Sequence, residues 1–556
     1  MDKIWLKNYP AQVNHEINEK DLPSLQELVE SSLNRFSSLP AYTCMGKTLS
    51  FEEINHLTSA LGSYLINELK LKAGDRVGIM MPNVLQNPIS ILSVIRAGLV
   101  VVNINPLYTE RELKHQLKDS GAKAIIILEN FAHVLSSVVE ETQVKHTIIT
   151  KIGDLLGGIK GSIVNFVIKN IKKMVPKYNI PSAIGFNAAI ASGKNQKFKS
   201  YTVAIEDPAF LQYTGGTTGV SKGAVLSHKN ISANVSQASS WLTGYLEEEK
   251  EVVITALPLY HIFSLTANCL LFLKLGGHNI LIPNPKDLPT FIKSIAKTHF
   301  TVITGVNTLY NALMNHPDFN KIDFSALKIS LGGGMAVQET VAKKWKQLTK
   351  TPLIEAYGLT ETSPAACINP LNIKDYNGSI GLPLPSTLAT IRDENNHALA
   401  HDQRGELCLK GPQVMSGYWK NDEETRKSFT EDGWLRTGDI AIMDKEGYIT
   451  LVDRKKDMIL VSGFNVYPNE VEDVISKHPK VFEVAAIGVP SEKSGEEVKV
   501  CIVKKDPSLS KDEVLSFSRE HLTGYKVPKH VDFREELPKT NVGKILRRSL
   551  KEEQLH

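Results

Sequence analysis

The sequence predicts an α/β protein in two parts, a large N-terminal domain of α/β layers with mostly parallel sheets and a small α+β C-terminal domain. Three observations carry this. The chain has 556 residues, more than one hydrophobic core usually serves. Helical patterns alternate with short apolar runs in the first part, as crossover helices between parallel strands require. The charged run Asp453-Arg454-Lys455-Lys456-Asp457 lies between two apolar runs and separates off a tail of about 100 residues.

Taken in order, apolar periodicity predicts a helix from Phe51 to Leu69, a strand from Arg76 to Met80, a helix from Gln86 to Gly98 and a strand from Val100 to Ile104. A helix from Glu110 to Ser120 and a strand from Ala122 to Leu128 continue the alternation. In the tail, helices are expected over Asn469 to Lys477 and Lys511 to His521. Strands are expected near Glu483 to Gly488, Val498 to Val503 and His530 to Arg534. The domain boundaries read as 1–453, a hinge at 454–457 and 458–556.

Composition narrows the class. A hydrophobic fraction of 42%, a charged fraction of 22%, 37 Gly and 26 Pro exclude a disordered, collagenous or repeat-dominated chain. A net charge of only +4 argues against a dedicated nucleic-acid binder, so no nucleic-acid partner is expected. The five cysteines are scattered and never form a CxxC pair, which disfavours a disulfide framework or a zinc site and makes a reducing compartment the default. Met1 to Pro10 lacks the apolar core of a signal peptide. The apolar stretch Ile262 to Leu273 has twelve residues, short of the roughly 18 to 20 that span a bilayer. The expected location is cytoplasmic, with peripheral contact on the inner face of the cell membrane as an option.

That option rests on one region. Residues 151–200 hold nine Lys and one acidic residue, a local +8 that leaves the rest of the chain at −4. Val164, Val167, Ile168, Ile171 and Val175 recur there at helical spacing, with Asn165, Lys169, Lys172 and Lys173 on the other side, before Pro176 stops the pattern. Two readings stand: a basic amphipathic helix over 160–177 lying on an anionic membrane, or a surface helix whose apolar face packs on the main domain.

The chemistry concentrates in Tyr213-Thr214-Gly215-Gly216-Thr217-Thr218-Gly219-Val220-Ser221-Lys222-Gly223. Glycines let consecutive backbone N–H groups turn toward an oxyanion, hydroxyls add donors and lysine adds charge, so the stretch is an anion cradle. It is not a Walker A loop, because Ser221 precedes Lys222. Gly219 to Gly223 also fits the G-x-S-x-G pattern of a hydrolase elbow. That elbow needs its serine in a tight turn between strand and helix, and the preceding Gly/Thr run argues against it. Two more loops, Leu331-Gly332-Gly333-Gly334-Met335 and Tyr357-Gly358-Leu359-Thr360-Glu361, follow β-like runs, and ligands collect at such strand ends. A carboxylate at Glu361 beside a phosphate loop makes sense with a divalent cation between them.

The loop at Tyr213 to Gly223, YGLTE at Tyr357 to Glu361, the segment Asp432 to Lys456 (DGWLRTGDIAIMDKEGYITLVDRKK) and PKTNVGK at Pro538 to Lys544 stand in the order found in adenylate-forming enzymes. Along nearly its whole length the chain resembles the bacterial long-chain fatty acid–CoA ligases of that superfamily. Arg436 departs from the pattern, standing where many relatives carry His.

The resemblance implies a fatty acid, ATP and coenzyme A as substrates and Mg²⁺ as cofactor, with a mobile small domain. It assigns Thr214, Gly215, Gly216, Thr217, Thr218, Gly219, Ser221 and Lys222 to the phosphates, and Glu361, beside Thr360, to Mg²⁺. It gives Gly332, Gly333, Gly334 and Tyr357 to adenine, Asp439 and Arg454 to the ribose, and Gly358 to the cofactor-binding set. Lys544 is the expected adenylation lysine, and His261 lies near the acyl carboxylate or serves as an ordinary core histidine. Lys456 is the expected pivot, which brings Gly463 and Phe464 to the pantetheine channel. Ile262 to Leu273 and Val302 to Leu313 are candidate acyl-tunnel walls. Medium-chain or aryl acids remain alternative substrates, and a non-catalytic nucleotide-binding protein at a membrane surface is an alternative of another class. Oligomeric state stays open, a homodimer included.

Overall fold

The computed structural model describes residues 3–214, 221–491, 493–540 and 542–553. Two large sheets dominate the N-terminal part among the described residues. One has eight strands, ordered Gly417–Tyr418, Lys222–Ser227, Pro208–Thr214, Val100–Asn103, Arg76–Met80, Ala124–Leu128, His146–Thr150 and Ile184–Gly185. The other has nine, with a parallel centre formed by Leu353–Gly358, Ile329–Gly332, Val302–Gly305, Val252–Thr255 and His278–Leu281. Strands such as Ala124–Leu128 are buried along their full length. That burial is why they read as unbroken apolar runs and not as alternating patterns.

The predicted helices form with the expected starts. Phe51–Ser63 continues as a wider turn over Tyr64–Glu68, and Gln86–Arg96 and Glu110–Ser120 follow. Reciprocal capping by Ser50 with Glu53 and by Thr109 with Glu112 satisfies the first-turn amides of two of them.

A third sheet was not anticipated by the alternation rule. Leu388–Arg392, Arg404–Lys410, Leu435–Met443 and Ile449–Arg454 form an all-antiparallel unit. The basic helix is also shorter than its pattern: Gly158–Phe166 and a wide turn over Val167–Ile171 end it five residues before Pro176.

Beyond the turn at residues 455–457, a separate apolar core forms around Ile459, Val471, Ile475, Val500 and Ile502. Its sheet is built from Phe464–Val466, Ile459–Val461, Gly495–Lys504, Val481–Ser491 and His530–Arg534, packed with the helices Pro468–Ser476 and Lys511–His521. This unit sits against the large one through several polar contacts, among them Asn469 N donating to Asp453 Oδ2 (2.8 Å) and Arg547 pairing with Asp453 (3.6 Å). Thr308 Oγ1 donates to Gly543 O (2.9 Å), Asn311 Nδ2 donates to Phe482 O (3.2 Å), and Lys477 pairs with Glu339 (3.0 Å). No helix among the described residues is long and apolar enough to cross a membrane.

Candidate active site

Both large sheets end their strands on one cavity of about 1410 Å³. Asn103 and Thr214 come from the eight-stranded sheet, Tyr357 and Gly358 come from the nine-stranded one, and Gly333 directly follows one of its strands. A buried relay ties the walls together: Asn103 Nδ2 donates to Gln212 Oε1 (3.1 Å), and Gln212 Nε2 to Tyr260 O (2.7 Å). The carboxyl ends of parallel strands are where such a site belongs.

Thr214 closes one arm of an antiparallel hairpin whose other arm begins at Lys222. Ser221 therefore stands before a strand and not before a helix, which removes the elbow geometry a hydrolase serine needs. Gly215, Gly216, Thr217, Thr218 and Gly219 lie outside the described residues. Ser221 and Lys222 line the cavity, and His115 Nε2 donates to Ser221 O (3.0 Å). Lys222 does not stand alone. Its ammonium pairs with Glu424 (2.5 Å) and lies 4.7 Å from the centre of the Tyr418 ring.

Glu361, in the short helical turn Thr360–Thr362, accepts a hydrogen bond from the Tyr418 hydroxyl (2.6 Å). Sequence reasoning missed Tyr418, Glu424 and His115, since none belongs to a motif and only folding brings them to the cradle. Burial, then the facing Glu361 carboxylate, push the Tyr418 phenol far above its ordinary range, so it stays a donor.

Gly333, Gly334, Tyr357, Gly358 and Thr360 line the same cavity. A Cβ on Gly333 would lie 2.9 Å from Ala356 O, so only glycine allows the two strand ends to approach this closely. Gly332, one residue earlier, is buried at the end of its strand and is not part of the lining. Asp439 also stands behind the wall: it accepts from the Tyr357 hydroxyl (2.6 Å) and pairs with Arg454 Nε (3.2 Å), which does line the cavity. Arg436 is tied to Glu406 (3.1 Å) and donates to Asn396 Oδ1 (2.9 Å) at the cavity's edge.

From the small unit, Lys544 enters the cavity. Its loop is held by Thr540 N donating to Lys544 O (2.7 Å) and Lys544 N donating to Thr540 Oγ1 (3.1 Å). Gly543 has φ +85°, and a Cβ there would meet Thr308 Oγ1 at 2.8 Å, so both conformation and contact demand glycine. Desolvation, reinforced by the Arg454 guanidinium and opposed by Asp439, lowers the Lys544 ammonium to about 7.

His261 shares the cavity, and its Nδ1 accepts from Phe263 N (3.3 Å) at the start of the next helix. Burial, then the positive Lys544, lower it to about 4. The ring is therefore neutral near pH 7, with its proton on Nε2. Lys456 reaches the rim. Gly463 and Phe464 do not line the cavity: Phe464 is 56% exposed and stacks on Tyr525 at 4.9 Å.

Below His261 the lining turns apolar, through Ala238, Leu242, Leu246, Ala267, Leu271 and Leu371. The helix forming one wall widens to a π-type turn over Leu265–Leu270, a distortion that recurs at functional sites. The arrangement can hold a polyanion against positive charge at one end and an extended apolar chain at the other.

Comparison with known proteins agrees with this geometry. A long-chain-fatty-acid–CoA ligase of Salmonella typhimurium (strain LT2) is 56% identical over 553 residues, covering 100% of this chain and 98% of the relative. The anthranilate CoA ligase AuaEII in complex with anthranoyl-AMP shares the fold, with a TM-score of 0.85 at 23% identity, covering 96% of this chain and 98% of that one. ATP-bound MatB from Rhodopseudomonas palustris gives a TM-score of 0.78 at 26% identity, covering 95% and 98%. Residues 29–419 match the model of the AMP-binding enzyme and residues 470–544 that of the AMP-binding enzyme C-terminal domain, and on these matches the chain belongs to the AMP-binding enzyme family.

Proposed function

We propose that the protein ligates a long-chain fatty acid to coenzyme A with ATP, through an acyl-adenylate. The observation that carries this is one continuous cavity, with Lys544, Lys222 and Arg454 at its polar end and an apolar tunnel at the other. A carboxylate oxygen attacks the α-phosphorus and the bond to pyrophosphate breaks; the thiol then attacks the acyl carbonyl and AMP leaves. The first step brings an anion to a polyanion, so fixed positive charge must precede it.

In this reading Thr214, Ser221 and Lys222 hold phosphates and Lys544 bridges the attacking carboxylate and the α-phosphate. Gly333, Gly334 and Tyr357 flank adenine. Arg454, oriented by Asp439, holds the ribose. Neutral His261 donates to the acyl carboxylate. Hard oxygen donors at Glu361 and Thr214 suit Mg²⁺, which would bind chiefly through ATP phosphates and supply charge neutralisation there. Residues 454–457 act as hinge between 1–453 and 458–556, with Gly463 and Phe464 serving the pantetheine channel after rotation. Peripheral contact of residues 160–177 with an anionic membrane completes the reading, since long-chain acids partition into bilayers.

The test is pyrophosphate release with Mg-ATP and acids from acetate to oleate, with and without coenzyme A. Turnover rising with chain length and needing coenzyme A to continue is expected; release only with aryl or short acids would move the assignment to a sister ligase.

Ala238 lines the apolar branch, and filling it should shorten the accepted chain. Ala238→Phe is expected to cut kcat/KM for oleate about 10²-fold while sparing octanoate, because about four methylenes at ~0.8 kcal/mol each lose their burial. Equal loss for both acids would place Ala238 outside the tunnel.

The Lys222–Glu424 pair must open for phosphates to reach the ammonium. Such half-exposed pairs are worth up to about 1 kcal/mol. Glu424→Ala is therefore expected to lower the KM for ATP about three- to fivefold with kcat little changed. A raised KM would instead make Glu424 a residue that positions Lys222.

A further inference from the structure

The basic segment carries a second apolar face that its sequence pattern does not reveal. Gly161 is buried against residue 153, where a Cβ would lie 2.3 Å from Gly153 O. Asn165 accepts from Gly153 N (2.8 Å) and donates to Asp154 (3.2 Å), and Lys169 pairs with buried Glu129 (2.8 Å). These contacts, with half-buried Val164 against the core, fix which side of the helix faces the protein.

The opposite side is apolar too. Ile159 (80% exposed), Ile163 (56%), Phe166 (59%), Ile171 (65%) and Met174 (52%) point to solvent, half of all ten large hydrophobics exposed among the described residues. The first three follow i, i+4, i+7 spacing. A regular helix would then carry Ile171 off the stripe, but the wide turn over Val167–Ile171 inserts an extra residue and returns it. A continuous outward ridge results.

Folded proteins rarely leave such a ridge uncovered. Exposed Lys160, Lys172, Lys173 and Lys177 flank it, and Asp154 is the one acidic residue between 151 and 200. Apolar side chains along the crest with lysines beside them match the boundary between acyl chains and anionic headgroups.

We propose that residues 159–174 form an interfacial docking element for an anionic lipid bilayer, with Ile159, Ile163, Phe166, Ile171 and Met174 inserted and the lysines at phosphate level. The inference rests on the peripheral contact in the functional reading, and names the face, the inserted side chains and the lipid chemistry. Both sequence readings of the segment then hold at once: one face packs on the domain and the other meets lipid.

The test is flotation of the full-length protein with vesicles of phosphatidylcholine alone or with phosphatidylglycerol. Binding is expected to need phosphatidylglycerol and to weaken with salt. Ile163→Ser with Phe166→Ser should reduce it at least about tenfold, given the apolar area withdrawn. Lys172→Glu with Lys173→Glu should reduce both binding and its salt dependence. Circular dichroism and pyrophosphate release with octanoate in vesicle-free buffer are expected to stay at the unsubstituted level. Absence of binding to anionic vesicles, or binding that neither double variant changes, would overturn the proposal. A serine-variant effect on oligomeric state without vesicle binding would assign the ridge to a second copy and also overturn it. Failure of pyrophosphate release with every acid from acetate to oleate in the unsubstituted protein would count against the ligase reading alone.

Discussion

Replacing Lys544 by alanine is expected to slow acyl-adenylate formation about 10²- to 10³-fold, the usual cost of removing one preorganised charge or donor from a transition state. Conversion of supplied acyl-adenylate to the thioester should change by less than about threefold. The loop is held by its own contacts: Thr308 holds Gly543, the Thr540–Lys544 turn closes on itself, and Lys539 pairs with Glu483 (2.7 Å). Little reorganisation then remains for the reaction itself. Pyrophosphate release, read beside thioester formation from synthetic adenylate, separates the halves. Equal loss of both would mean that Lys544 holds the domains together.

The same lysine gives domain docking a pH dependence with a definite sign. Its ammonium falls from 10.5 to about 7 on docking, because desolvation and Arg454 disfavour the charge. Between these values the docked state binds fewer protons than the undocked one, so docking without ATP strengthens as pH rises from about 7 toward 10.5 and is opposed below 7. Phosphates would favour the charged form and flatten the profile. His261, lowered to about 4, stays neutral across that window. Energy transfer between labels on the two domains reads the population; docking that weakens with rising pH in the free enzyme would reverse the assigned cause.

Much of this was legible in sequence, for identifiable reasons. Strands such as Ala124–Leu128 are buried on both faces and announce themselves as apolar runs, and Glu110–Ser120 has both caps and period to mark it. Loops rich in Gly, Thr and Lys show themselves because few other roles need that composition. Contacts made only by folding were not legible. Tyr357 meets Asp439 across 82 positions, and Glu424 meets Lys222 across 202. The resemblance pointed to Tyr357, Asp439 and Lys222 without their contacts, and nothing pointed to Glu424. Periodicity also misled at Ile171, placed with the inward valines by a 3.6-residue repeat that the wide turn interrupts.

Lys456→Pro is expected to leave adenylation within about fivefold of the unsubstituted protein and to slow thioester formation on the order of 10²-fold, the scale of loss when reacting groups are misplaced. The turn at residues 455–457 joins Ile449–Arg454 to Ile459–Val461. Its described backbone bonds are donated by Lys455 N to Gly438 O and Asp457 N to Arg454 O, both 3.0 Å. Lys456 is not among the residues with positive φ, the region proline cannot enter, and proline there fixes the torsion that rotation must change. Rotation has something to deliver. Leu460 (48%) and Phe464 (56%) are exposed beside Gly463 with φ +84°, and such apolar surface is explained if the second state buries it against the pantetheine channel. Lys456→Ala is the control for the side chain and should retain both halves. Loss of adenylation in the proline variant, or thioester formation as fast as in the alanine variant, would place the pivot elsewhere.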